Sequence, residues 1–315
     1  AHVFFITSFQ IGQRWALRDN KYHPVTYAIL SLYFAGLTSL LFAIATGTLD
    51  LNYTSLPLLA VGISVVSNSL QMTFIARALS LLEASVYSII SNTRTVIIII
   101  LSAIFLGDEI TLTIAAGGLV VMFGASLIVY EKGQHIRLGK GEVYALLAAL
   151  TLAIPLVSDF FALQDDYDPA SYLAMIWIMP GILLSVARRP EAMKIKEYAR
   201  DKMFWFRVAA PAAMLSLAVI TIMTAFQDAN NPSVLAIVSQ SSSVTVVLAS
   251  ILFLGERKNI QLKLVASVIA SVVSFWLIFS YRTSAFPQQF HRIPVCPPAH
   301  FLLSTYLADI PHSEK

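Results

Sequence analysis

Runs of about twenty apolar residues, cut by short polar or charged connections, repeat along the chain as far as residue 281. A bilayer core of about 30 Å is crossed by about 20 residues at a rise of 1.5 Å each, so each run is long enough to span it as a helix. The pattern predicts ten helices, at about 1–17, 24–46, 56–78, 84–106, 109–130, 140–160, 170–187, 204–226, 232–254 and 260–281. The runs are too long for strands and lack the alternation of barrel segments. The first is short, and it reads as the second half of a helix whose beginning precedes Ala1.

Breakers fall where this reading needs them. Pro24, Pro169 and Pro232 open the second, seventh and ninth spans, where a missing N–H costs nothing. Pro155, Pro180 and Pro211 lie inside the sixth, seventh and eighth, where a packed bundle can tolerate a kink. Residues 282–315 change character, holding five of the thirteen prolines and one short apolar patch, and read as a tail.

Composition agrees with a membrane chain. Hydrophobic residues make up 57% of it and charged residues only 12%, about half the usual share for a soluble domain. The net charge of +3 gives no footprint for nucleic acid. One cysteine, Cys296, excludes an intrachain disulfide framework and a cysteine-based metal site. Seventeen of the 21 Lys and Arg fall in alternate connections: one to two, three to four, five to six, seven to eight and nine to ten. The positive-inside rule makes that side cytoplasmic, so both termini and Asp165, Asp166 and Asp168 face out.

The chain also repeats itself. A shift of 148 residues lays Ser85-Val86 on Ser233-Val234, Ile89 on Ile237, Ser91 on Ser239, Val96 on Val244 and Ser102 on Ser250. The same shift puts Phe105-Leu106-Gly107 on Phe253-Leu254-Gly255 and Asp108 on Glu256. Five is odd, so two five-helix copies insert with opposite orientation. The fold class is an all-α membrane protein of ten transmembrane helices in two inverted five-helix repeats. The repeats occupy 1–131 and 138–281, with 282–315 as the Pro-rich tail.

At these residues the chain resembles the drug/metabolite transporter superfamily, in particular its EamA-like ten-helix branch. The hallmark is a helix ending in a run like LFLGE, here Ala103 to Glu109 and Ile251 to Arg257. The resemblance implies a ten-helix transporter with a central cavity lined by helices one, three, four, six, eight and nine. It also implies cytoplasmic termini, against the charge count.

Helical spacing picks the faces that could line such a pathway. The third span carries Ser64, Ser67, Asn68 and Gln71; the fourth carries Ser88, Ser91, Asn92 and Thr95; the ninth carries Ser239, Gln240 and Ser243. The first offers Thr7, Gln10 and Arg14, the sixth Thr151, Pro155, Ser158 and Asp159, and the eighth Thr221, Thr224 and Asp228. Serines and threonines also serve as interhelical glue, whereas a buried carboxamide needs several partners. Glycines in the fifth span, Gly117, Gly118 and Gly124, and small residues in the tenth suit close packing or homodimer contacts.

Arg94 is the lone charge deep in a span. Its guanidinium calls for water, a counter-ion such as Asp159, or a ligand's carboxylate or phosphate. The expected substrate site is Gln10, Asn68, Gln71, Ser91, Asn92, Arg94, Thr95, Asp159, Ser239, Gln240 and Ser243. No span has a carboxylate at its centre, so a proton carrier is not evident. There is no phosphate-binding glycine loop, metal motif or nucleophile elbow, so the reading includes no cofactor and no enzyme chemistry. The partners are the bilayer and a small polar metabolite such as an amino acid or carboxylate. A sugar-phosphate or nucleotide-sugar exchanger is the alternative, and a structural membrane subunit or intramembrane enzyme the reading of another class.

Overall fold

A computed structural model describes residues 1–18, 21–51, 57–105, 139–162, 167–229, 242–256 and 259–269, with positions 116, 119, 120, 123 and 272. Its regular elements are all helical: α1 (His2–Leu17), α2 (Pro24–Thr46), α3 (Leu58–Leu81), α4 (Ala84–Ser91), α5 (Arg94–Phe105), α6 (Lys140–Ala162), α7 (Pro169–Ala187), α8 (Arg189–Met193), α9 (Ile195–Tyr198), α10 (Lys202–Ala229) and α11 (Ser242–Ala249). A π-helical turn, Ser250–Leu254, extends α11, and α12 covers Ile260–Ile269. Nine of the ten expected spans thus hold a described helix, and six of these are long and apolar enough to cross a membrane. The fifth span falls almost wholly outside the described residues, as do Gly117, Gly118, Gly124 and the tail.

Local chemistry sets the ends. Proline occupies the first turn of α2 and of α7, and the Asp168 carboxylate accepts the Ser171 N–H at 2.7 Å to cap α7. Gly47 and Gly255 close α2 and the ninth span with φ of 70° and 69°, the left-handed conformation that glycine adopts without a Cβ penalty. Pro155, Pro180 and Pro211 lie inside helices that continue past them.

The fourth span departs from the expected single helix. It breaks after Ser91, where Asn92, Thr93, Thr95 and Val96 donate their N–H groups three residues back rather than four. Such tightening turns each residue by about 120° instead of 100°. The helix restarts at Arg94.

The helices pack in pairs. The most extensive helix contacts are α3 on α6, α2 on α7 and α1 on α10. Moving five spans along exchanges the first pair with the third and returns the second to itself, as two related repeats require. A Cβ on Gly36 would lie 2.6 Å from Ile178 Cγ1 and 3.2 Å from the Ala174 carbonyl, so α2 and α7 meet almost backbone to backbone. Hydroxyl pairs such as Ser39 and Ser216 at 2.8 Å join helices across the interior. Polarity is inverted relative to a soluble domain. Phe4, Leu58, Leu59, Val186, Leu252 and Phe253 are exposed, while Gln10, Gln13, Ser31, Gln71 and Asp159 are buried. The chain is a multi-span membrane protein.

Two of the basic connections, those before α2 and before α10, meet each other. Lys21, between α1 and α2, pairs with Asp201, before α10, at 2.7 Å, and Tyr22 packs on Tyr198 and Phe204. Asp201 also accepts the N–H groups of Met203 and Phe204, capping α10. The Lys21 hydrogen bond, aided by that of Phe204, holds the Asp201 carboxyl well below the ordinary range, at about 2. A depressed folded-state value means the contribution is complete above the ordinary carboxylate range and is lost as pH falls through about 2. Acid titration of the α1–α2 loop, followed by proteolysis of detergent-solubilised protein, should show protection fading toward pH 2. Asp201→Asn should remove that acid limb.

At the same end, α3 and α4 meet in a clamped turn. Arg14 donates to the Leu79 carbonyl at 2.7 Å, near the C-terminus of α3, and lies 3.4 Å from Glu256 Oε1. Glu256 in turn accepts the N–H groups of Ala84 and Ser85 and the Ser85 hydroxyl, at 3.1, 3.4 and 3.2 Å. The cation meets the carbonyl end of one helix and the carboxylate the amide end of the next, as the helix dipoles favour. Glu83 pairs with Lys263 of α12 beside them.

Candidate functional site

Between α1, α3, α4, α5, α6, α7 and α10 lies a cavity of about 100 Å³, room for several waters or a small solute. Its walls are largely apolar, with Ile6, Phe9, Ile98, Leu156, Leu215 and Met223 among them. A small set of polar groups converges on it. α1 brings His2 and Gln10, α3 brings Asn68 and Gln71, α4 and α5 bring Tyr87 and Arg94, α6 brings Asp159 and α7 brings Trp177. An apolar pocket with few directed polar groups is the usual form of a small-molecule site.

The cavity sits in the half of the bundle away from the basic loops. Its residues on α1 are 2, 6, 9 and 10, and on α7 they are 173, 176 and 177, next to the ends opposite Arg14 and Arg188. The clamp of Arg14, Glu256, Glu83 and Lys263 closes the other end.

Several groups on the cavity wall have unmet hydrogen-bonding capacity among the described residues. Gln10 Oε1, Gln71 Oε1, Trp177 Nε1 and His2 Nε2 are buried without a partner. His2 holds the Ala218 carbonyl through Nδ1 at 2.8 Å, which puts a proton there and leaves Nε2 as an acceptor in the neutral ring. Arg94 is half-buried and forms no hydrogen bond or ion pair with another described residue. Asp159 does not pair with it; its Oδ1 accepts the Ser64 and Tyr172 hydroxyls at 2.6 and 2.7 Å instead.

Of the expected site residues, Gln10, Asn68, Gln71, Arg94 and Asp159 line this cavity. Ser91, Asn92, Thr95 and Ser243 are buried but off its wall. The first three lie at the break of the fourth span, and the residues that this span brings to the wall are Tyr87 before the break and Arg94 and Ile98 after it. Ser91 bonds back to the Ser88 carbonyl at 2.8 Å. Ser243 sits on α11, whose polar side packs on α1, with Thr245 bonded to Thr7 at 2.7 Å. Ser239 and Gln240 lie outside the described residues. The seventh span, through Trp177, also reaches the wall, and most of the first half of the ninth lies outside the described residues. Thr151, Thr221 and Thr224 bond to carbonyls of their own helices, and Arg14 belongs to the clamp. Tyr87 and His2 were not expected. Tyr87 lies seven residues before Arg94, a spacing that puts both on one face; His2 carries no comparable signal.

Residues 1–130 match the EamA-like transporter family. A protein of Archaeoglobus fulgidus named an uncharacterized transporter is 29% identical over 197 residues, 60% of this chain and 63% of that protein. The match therefore spans less than two thirds of that relative. A solved crystal structure, 14% identical, superimposes with a TM-score of 0.60 over 90% of this chain and 99% of its own, and so shares the fold.

Proposed function

We propose, from the match of residues 1–130 to the EamA-like transporter family, that the chain is a secondary transporter of a small carboxylate-bearing metabolite, an amino acid foremost. It works by export or exchange, rocking one five-helix repeat against the other around the cavity. The observation that carries this reading is Arg94, a guanidinium on the cavity wall with no counter-anion bonded to it among the described residues. A charge at that depth costs roughly 3 to 17 kcal/mol when left unmatched. A carboxylate cargo supplies the match through the planar fork, and the Trp177 N–H adds a donor. Gln10 Oε1 and Gln71 Oε1 offer acceptors to an ammonium or hydroxyl group on the same cargo. Asn68 adds a further amide, and the apolar walls hold an aliphatic or aromatic portion. A sugar phosphate carries two negative charges at neutral pH and suits this single cation less well.

Purified protein in liposomes, offered labelled alanine, leucine, lactate and glucose 6-phosphate, should exchange the first three in preference to the last. Exchange of the phosphorylated sugar alone would overturn the reading.

The basic loops face the cytoplasm of a cell membrane in this proposal. A cysteine at position 196, on a Cys296→Ser background, should therefore resist a membrane-impermeant maleimide in intact cells and react once they are opened.

A further inference from the structure

Asp159 stands apart from the anion-binding groups. It is 4% exposed, lines the cavity, and both of its recorded hydrogen bonds fall on one oxygen. Ser64 of α3 and Tyr172 of α7 donate to Oδ1, leaving Oδ2 without a partner among the described residues. Both partners are hydroxyls. A hydroxyl donates to a carboxylate and can equally accept from a carboxylic acid, whereas a bonded ammonium or guanidinium would hold the group ionised. Asp159 can therefore gain or lose a proton at Oδ2 and keep its neighbours.

α3 presents only neutral Ser64, Asn68 and Gln71 toward the cavity, and the described side chains of α10 on its wall, Leu215, Val219, Ile222 and Met223, are apolar. α7 presents Tyr172, α4 and α5 present Tyr87 and Arg94, and α1 presents His2. On α6 itself Glu142 is the other acid, more than four turns away. Arg94 is thus the one permanent charge facing the cavity among the described residues.

We propose, resting on the carboxylate reading above, that Asp159 is the proton site that couples transport to a pH gradient. With Asp159 ionised, the cavity holds one positive and one negative charge, and a carboxylate cargo would add a second negative charge. Protonation of Oδ2, forming one O–H bond and breaking none within the protein, removes the repulsion. Proton and carboxylate then bind cooperatively and travel together. Ser64 belongs to the first repeat and Asp159 to the second, so the motion that changes access also changes what surrounds the acid.

Two measurements test this, one of them needing no cargo. Infrared difference spectra of the purified protein on acidification should contain a protonated-carboxyl band that Asp159→Asn removes. Identical spectra from the two proteins would overturn the proposal whatever the cargo proves to be. Tyr172→Phe, which deletes a donor to the carboxylate, should move the midpoint of that band to higher pH. In liposomes loaded and offered with labelled alanine, leucine and lactate, an imposed pH gradient should drive accumulation by the wild type. Whatever label Asp159→Asn, which resembles the protonated acid, carries across should stop at the equilibrium ratio under the gradient. Gradient-driven accumulation by that variant, or a wild type that exchanges label yet ignores the gradient, would refute the coupling. If the wild type carries none of the three, the cargo reading fails and the infrared result alone judges the proton site.

Discussion

Replacing Arg94 by alanine should cut exchange of a carboxylate cargo by roughly 10- to 150-fold, the equivalent of losing one charge-assisted hydrogen bond of about 1.5 to 3 kcal/mol. The protein should stay folded and inserted, and its thermal midpoint should hold or rise. That pairing of outcomes is diagnostic. A structural guanidinium bonded to a protein carboxylate would leave a buried charge behind when removed and destabilise the bundle. Arg94 has no such bond among the described residues, so its removal relieves a desolvated charge and costs the fold little. Arg94→Lys keeps the charge without the planar fork and should fall between wild type and alanine. Labelled exchange in liposomes, with melting in detergent, measures both quantities, and wild-type exchange by the alanine variant would remove Arg94 from the site.

The second large effect is expected at Glu256, where stability rather than transport is the readout. Its carboxylate meets Arg14 and two backbone amides and a hydroxyl at the start of α4, with the side chain almost wholly enclosed. Glu256→Ala should strip α4 of its cap and leave Arg14 unbalanced, at about 3 to 5 kcal/mol by the measure of broken buried ion pairs. Melting in detergent would register this as a clear drop. Glu256→Gln keeps one acceptor oxygen and should recover part of the loss. An alanine variant as stable as wild type would show that the clamp holds nothing together.

The spans were legible because the bilayer imposes a length on every apolar run. α2 occupies 24–46 as the pattern requires, while α3 runs three residues past its expected end because Leu79 and Leu81 stay helical up to the clamped turn. The site was legible where a strongly polar group stands alone in an apolar run, as do Arg94, Gln71, Asn68 and Asp159. It was not legible where the winding changes. Ser91, Asn92 and Thr95 lie at the break of the fourth span and off the cavity wall, and nothing in the apolar pattern marks that break. Asp159 lies near a helix end, where Ser64 and Tyr172 reach it, and no spacing rule in one sequence reports a meeting of three helices. Tyr87 gives little signal in the sequence because aromatic residues in a membrane chain are most often anchors at the lipid interface.

The cap on α4 comes from a residue 172 positions later than the amide it serves. During synthesis that amide leaves the ribosome long before Glu256 does, so the fourth span must wait in the bilayer, or in the insertion machinery, with its first turn unsealed. The nascent first half is therefore an unfinished object however well its own helices pack. Loss of the final third of the chain should send even perfectly inserted early segments to quality-control proteolysis.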